Sequence, residues 1–373
     1  MTARWRRLVR LDCMALVVLF VYPLVPFVER WLFRATDTSI GAQVTLIFIF
    51  SILALGLNVV VGFTGLLHLS IAAFFGIGAY ITGILTVPSY PFQVGFLIAL
   101  VISTGAAALL GAILGAPTLR LRGDYLALVT LGFGEVVRFS IRNLEEITAG
   151  TRGLNPVPAP SLPGWCATPL GWLGISPDWR QDYRLFYYLA LSLLVLVYVT
   201  LRNLENSRLG RAWMAIREDE LAATCMGINA TRAKLSAFAM GAALAGLAGC
   251  LYATNLASTA QPDAYDFNRS IFILCCIIVG GLGSLRGTIL GVAILVGFDQ
   301  VLAPIVDARL QAANLNPTGS VFLTFSNWRL MVFGLALILM MRFRPEGLLP
   351  STRLQTELHT PQPQGAAPQS GVW

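Results

Sequence analysis

One pattern recurs along the chain: a run of mostly apolar residues about 20 long, a break at glycine, proline or charge, then another such run. A hydrocarbon core roughly 30 Å thick needs about 20 residues of helix for one crossing, because inside it each backbone N–H and C=O must be paired within its own segment. Runs at 12–28, 42–61, 66–87, 92–116, 125–142, 184–201, 235–256, 270–282, 288–305 and 328–343 therefore predict an all-α integral membrane protein of about ten transmembrane helices. Charge agrees with this, since only 12% of the 373 residues are charged, against about twice that share in soluble domains. A soluble enzyme or a nucleic-acid binder is excluded. The net charge of +7 fits arginines retained in cytoplasmic loops.

Three runs depart from a plain span. Gly62 and Gly65 interrupt the second, Gly76 and Gly78 the third, and 270–282 is too short to cross alone, so some helices are expected to be broken or re-entrant. Orientation follows from arginine. Arg4, Arg6, Arg7 and Arg10 precede the first run, Arg202, Arg208, Arg211 and Arg217 follow the sixth, and Arg342 and Arg344 close the last. Basic residues favour the cytoplasmic side, which puts both termini and 202–234 inside and the proline- and tryptophan-rich loop 144–183 outside, as an ordered cap. Cys166 is then periplasmic and Cys225 cytoplasmic. Residues 1–350 read as one polytopic domain, and 351–373, rich in Pro, Gln and Gly, as a disordered cytoplasmic tail. The run after Asp12 has no small-residue cleavage site and is read as a span, not a signal peptide.

Several chemistries are excluded by what the chain lacks. Lys234 is its single lysine and sits in Arg232-Ala233-Lys234-Leu235, not at the end of a glycine-rich turn, so there is no Walker-type ATPase motif. Six cysteines show no Cys-x-x-Cys spacing, and His68 and His359 are the only histidines, so no metal site is expected. No constellation for an intramembrane enzyme stands out.

Polar groups within the runs are few. Glu135 lies ten residues beyond Tyr125, about 15 Å along a helix and so near the bilayer midplane, where a lone carboxylate is costly. Arg138, three residues on, shares its face. The two are either a buried structural pair or part of a polar pathway with Asn58, Thr64 and Thr130. His68 reads as a packing histidine rather than a proton carrier. Small residues four apart, at Gly111/Gly115, Gly241/Ala245/Gly249 and Gly283/Gly287/Gly291, allow close helix approach, inside the chain or at a seam with a second subunit. The stretches 60–65 and 278–283 are weakly alike, as the halves of an internal repeat would be. Thr231 stands where the N-cap of the seventh run belongs.

Four motifs are specific together: Gly56-Leu57-Asn58-Val59-Val60-Val61-Gly62 with Thr64-Gly65-Leu66-Leu67; Arg120-Leu121-Arg122-Gly123-Asp124-Tyr125-Leu126-Ala127; Thr130-Leu131-Gly132-Phe133-Gly134-Glu135; and Gly280-Gly281-Leu282-Gly283-Ser284. With the ending Arg344-Pro345-Glu346-Gly347-Leu348-Leu349-Pro350, the chain from about 42 to 350 resembles the LivM-type permease subunits of bacterial branched-chain amino acid ABC importers. Ala149 and Leu285-Arg286 depart from that pattern and bear on substrate identity rather than fold.

The resemblance implies an inner-membrane transport subunit that is not itself an enzyme and binds no cofactor, ATP and magnesium being held by partners. Those partners would be a LivH-type permease, two cytoplasmic ATPases and a periplasmic binding protein, with lipid around the spans and no nucleic acid. It also implies that 202–234 carries a coupling helix. Ala222, Ala223 and Gly227 resemble the family's Ala-Ala-x-x-x-Gly core, expected to enter a groove on the ATPase, with Gly210, Arg211, Arg217, Glu218, Asp219 and Glu220 around it and charged contacts offered by Arg217 to Glu220. Branched-chain amino acids are the default substrate. A urea or short-amide permease on the same scaffold and an ion-coupled secondary transporter using Glu135 are the alternatives.

Overall fold

The computed structural model describes residues 40–91, 93–118, 124–160, 183–312 and 328–349. The expected first span at 12–28, Cys166, Trp165, Trp172, Arg120, Arg122 and the tail 351–373 lie outside the described residues. Within them the chain is helical, and no strand occurs.

Helix α1 (Ile40–Asn58) passes into a wide π-helical turn, Val59–Phe63, and helix ends at Thr64. After the non-helical stretch 65–70, α2 (Ile71–Thr86) runs for 16 residues, about 24 Å. Helices α3 (Phe96–Thr118), α4 (Asp124–Asn143) and α5 (Tyr183–Glu205) follow. Two short helices, α6 (Arg208–Glu218) and α7 (Glu220–Cys225), lead into the 27-residue α8 (Ala230–Leu256). Helix α9 (Phe267–Gly280) stops at a glycine break, and α10 (Leu285–Gly297) continues through a second π turn into α11 (Ala303–Ala312); α12 is Arg329–Phe343.

By length and apolarity alone, five helices among the described residues suffice to cross a bilayer: Gly41–Phe63, Phe96–Ala116, Tyr183–Glu205, Ala230–Leu256 and Leu285–Asp307. The shorter α2 and α9 are the broken elements expected from the sequence, but the reason differs at α2. Gly76 and Gly78 do not interrupt it. A Cβ at Gly76 would meet the Tyr265 ring at 2.9 Å, and one at Gly78 would fall on the Gly246 backbone of α8, so these glycines are contact points inside a regular helix.

Helix α8 is the axis of the core, flanked by α1, α2 and α3. Its small residues allow that density. Gly241 faces the Gly56 carbonyl of α1, Gly249 lies on the backbone of Phe75 and Ala79 in α2, and Gly111 of α3 rests on Ala242. Gly287 and Gly291 bring α10 onto Gly280 and Cys276 of α9 in the same way. The four-residue glycine spacing is thus used for packing within one chain, where approach distance rather than apolarity drives association. The expected cap Thr231 lies inside α8; Asn229 is the N-cap, its Oδ1 accepting from the Arg232 N–H at 3.0 Å. On the side of the α8 C-terminus, residues 154–157 pair with the loop after α8 through Val157 N–H to Ala257 O (2.9 Å) and Leu154 N–H to Thr259 Oγ1 (2.8 Å).

Candidate functional site: the coupling loop and the helix breaks

The segment 206–229 is built as two capped helices with a hinge between them. Ser207 caps α6 by accepting from Gly210 N–H, and Asp219 caps α7 by accepting from Leu221 N–H (2.8 Å) and Ala222 N–H (3.1 Å). Gly210 is buried because a Cβ there would fall on the Leu204 and Glu205 carbonyls at the end of α5, so only glycine lets α6 fold back so sharply.

Trp213 ties α6 to the membrane helices. Its ring is fully buried, lies parallel to Phe63 at 6.4 Å between centroids, and donates from Nε1 to Ala233 O (2.8 Å) and Ser236 Oγ (3.0 Å) of α8. Arg217, one turn on, reaches further. Its Nη1 donates to Gly62 O at 2.6 Å, and its stem lies under Gly65, 3.1 Å from where a Cβ would sit. At the same point the second break arrives: Asn58 Oδ1 accepts from Gly283 N–H at 3.0 Å, and Arg217 Nη1 lies 3.2 Å from a Cβ at Gly283. The two alike stretches, 60–65 and 278–283, therefore meet face to face beneath one guanidinium. A third strand of contact closes the junction, because Leu348 N–H bonds to Val279 O and Leu349 N–H to Gly280 O, both at 3.0 Å, with Gly347 against Gly281.

This geometry redistributes the roles expected in the loop. Three of the expected contact residues also have partners within the chain: Arg217 holds Gly62, Asp219 caps α7 while remaining exposed, and Glu220 pairs with Lys234 at 2.6 Å. Ala223 is 4% exposed and packs into the chain's own core. Gly227 is exposed with nothing near it, and it is required for its positive φ of 84°, a turn conformation, rather than for a close approach. Leu221 (74% exposed), Ala222, Met226 (83% exposed), Arg211, Glu218 and Asp219 are among the residues that face outward. Leu221 and Met226 were not singled out by the sequence, although large apolar side chains in a polar loop are the usual sign of a covered surface.

The five polar residues expected in a pathway lie on two elements, Asn58 and Thr64 at the first helix break and Thr130, Glu135 and Arg138 on α4. Thr64 Oγ1 bonds back to Val60 O, and Thr130 Oγ1 donates to Ala127 O while accepting from Leu69 N–H. Asn58 serves the junction, its Nδ2 buried and without a partner. Glu135 and Arg138 form the expected pair at 2.7 Å, and Arg138 also holds Asp263 at 2.7 Å, in the turn after α8. Asp263 was invisible to spacing, lying 125 residues from its partner. No group of three or more potential metal ligands occurs among the described residues.

Comparison with known proteins decides the family. Residues 39–341 match the family model for the branched-chain amino acid transport system permease component. The chain belongs to that family. This permease is 37% identical over 359 residues to the high-affinity branched-chain amino acid transport system permease protein LivM of Salmonella typhimurium, covering 93% of the chain and 78% of that relative. It is 37% identical over 350 residues to the protein of the same description in Escherichia coli, covering 91% and 76%. A probable branched-chain amino acid transport permease LivM of Methanocaldococcus jannaschii is 26% identical over 303 residues, covering 78% and 82%. No solved structure matches this permease. It is a multi-pass membrane protein and a transport subunit.

Proposed function

We propose that this permease forms half of the translocation pathway of an ATP-driven importer of branched-chain amino acids in the bacterial inner membrane. A LivH-type permease supplies the other half, two cytoplasmic ATPases bind the ATP and magnesium, and a periplasmic binding protein delivers the substrate. The membrane domain crosses about ten times with both termini inside. The observation that carries the reading is the double anchorage of α6, since Trp213 and Arg217 join the loop to α8 and to both helix breaks. A push on α7 is thereby delivered to the two places where the membrane helices are discontinuous, and a rigid lever of this kind transmits displacement that a floppy linker would lose. Gly210, Asp219, Glu220, Ala223 and Gly227 shape the lever; Arg211, Glu218, Leu221, Ala222 and Met226 form the face that meets the ATPase. Asn58 and Thr64 belong to the inner junction, and Thr130 ties α4 to the stretch after the first break by accepting from Leu69 N–H. Glu135, Arg138 and Asp263 form an outer latch between α4 and the turn after α8. Glu135 bound to Arg138 is not the free carboxylate that an ion-coupled transporter would need there.

The test is co-purification of the ATPases together with leucine uptake. Leu221→Glu and Ala222→Glu place a charge on the outward face and should leave permease levels unchanged while ATPase retention and uptake fall about ten- to a hundredfold. Gln364→Glu is the control. Retention and uptake at the control level in both variants would remove the loop from the coupling role. Ala223→Glu is not a substitute, because it buries a carboxylate in the chain's own core.

A further inference from the structure

Helix α4 is 20 residues long, yet with Asp124, Glu135, Arg138 and Arg142 in it, it is not among the described helices apolar enough to cross a bilayer. One of its faces packs inward: Leu126 and Ile141 are buried, and the Phe133 ring lies 5.6 Å from that of Phe74 in α2. The opposite face is open from end to end. Tyr125, Leu128, Gly132, Val136, Phe139 and Asn143 are all exposed and follow one another at intervals of three or four residues, which makes a single stripe about 27 Å long.

The open face of α3 differs in kind. Leu97, Ile98, Val101, Leu109 and Ile113 are exposed there, and no charged residue occurs in the helix, as suits lipid tails. On α4 the stripe is bordered instead by Glu135 and Arg138, whose side chains stay 30% and 19% exposed, and by Asp263, 62% exposed and bound to that arginine at 2.7 Å. Glu135 lies about 16 Å along the helix, where an ionised group faces protein or water because hydrocarbon offers nothing to solvate it. Lipid is therefore the wrong neighbour for this face.

Gly132 sits in the middle of the stripe. Glycine inside a helix costs about 1 kcal/mol relative to alanine, yet a Cβ at Gly132 would meet nothing among the described residues within 4 Å. The other glycine of α4, Gly134, is accounted for by Ser70, whose Cβ would be 3.3 Å away. An open glycine decides nothing alone, since Gly105 of α3 is equally open. On a stripe bordered by charge it is a notch where the backbone of another helix can come close.

We infer that the open face of α4 is the seam with the second permease, a membrane helix of that subunit lying along the stripe and approaching closest at Gly132. The inference rests on the two-permease reading above and adds the face by which the two subunits meet. The partner helix is apolar, carries a small residue opposite Gly132, and places polar groups or trapped water beside Glu135 and Arg138.

The experiment uses the whole importer in lipid nanodiscs, with a separate tag on the second permease. The photoreactive p-benzoyl-phenylalanine is placed at Leu128 or Val136 on the stripe, and at Leu109 on α3 for comparison. Irradiation should join the first two positions to the second permease and leave the third unjoined to it. A second readout uses the notch. Gly132→Leu has room within its own chain, so its membrane level should match that of the unsubstituted permease, while recovery of the second permease with it falls about ten- to a hundredfold. Gly132→Ala, a better helix former, should still weaken recovery several-fold, which a folding defect would not produce. Gly105→Leu should recover the second permease in full. Failure of the stripe positions to join the second permease overturns the inference, whether the probe finds lipid, another copy of this chain or the run 12–28 outside the described residues. Full recovery with Gly132→Leu overturns it as well. If the unsubstituted chain holds the second permease while the stripe does not join it, the seam alone is defeated; if the unsubstituted chain holds none, the two-permease reading falls and the seam with it.

Discussion

Arg138 is held by two carboxylates, Glu135 on its own helix and Asp263 in the turn after α8, each at 2.7 Å. Glu135 and Arg138 are three apart on one helix face, and their pairing is legible from spacing. Asp263 is not, because nothing in a sequence marks a contact between α4 and a turn that follows α8. The third member changes the expected energetics. With Asp263 at 2.7 Å, Glu135→Gln leaves Arg138 still compensated, and its cost should be under about 1 kcal/mol instead of the 1 to 3 expected for a lone pair. Glu135→Gln combined with Asp263→Asn removes both acceptors and should cost about 1 to 3 kcal/mol. Thermal unfolding of the purified permease separates these outcomes: a small shift for the single variant and a clearly larger one for the double. Equal shifts would mean that Asp263 carries no share of the arginine. The same limit explains the coupling loop, where residue types were legible but their direction was not. That Arg217 turns inward is decided by the break at Gly62, 155 residues away in sequence.

Among the elements, helix existence follows from apolar length, and where two helices stop short follows from glycine. The sequence does not separate a glycine that ends a helix from one that lets a neighbour approach. Gly62 and Gly283 belong to breaks, while Gly76 and Gly78 sit inside α2 against Tyr265 and Gly246. The distinction comes from what faces each glycine. Helix α6 depends on such a contact too, because its last turn reaches the junction through the Arg217 side chain. Arg217→Lys keeps the charge but shortens the fork, so the bond to Gly62 O should be lost while Trp213 still seats the helix. The expected variant assembles with its ATPases and hydrolyses ATP, yet moves about tenfold less leucine per ATP, which paired measurements of uptake and phosphate release would reveal. An unchanged ratio would show that Trp213 alone is sufficient to couple.

For the whole molecule, the sidedness inferred from arginine has a direct check in the cysteines. Of those among the described residues, Cys225 is exposed and Cys250, Cys275 and Cys276 are buried. A membrane-impermeant maleimide should leave Cys225 unmodified in intact cells and label it after permeabilisation; labelling in intact cells would invert the orientation. The arrangement of the inner junction has a further bearing on how such a protein holds a gradient. Asn58 in the first break and Gly283 in the second share a buried hydrogen bond, and one guanidinium spans both. Moving either break alone would strand that amide, at a cost of about 1 to 3 kcal/mol. A half-open inner end is therefore disfavoured by roughly five- to a hundredfold relative to one in which both breaks shift together. On the proposed import reading the pair would then work as a single seal against leakage: accumulated solute would meet either a shut door or a door opened by nucleotide, and slippage between cycles would be rare.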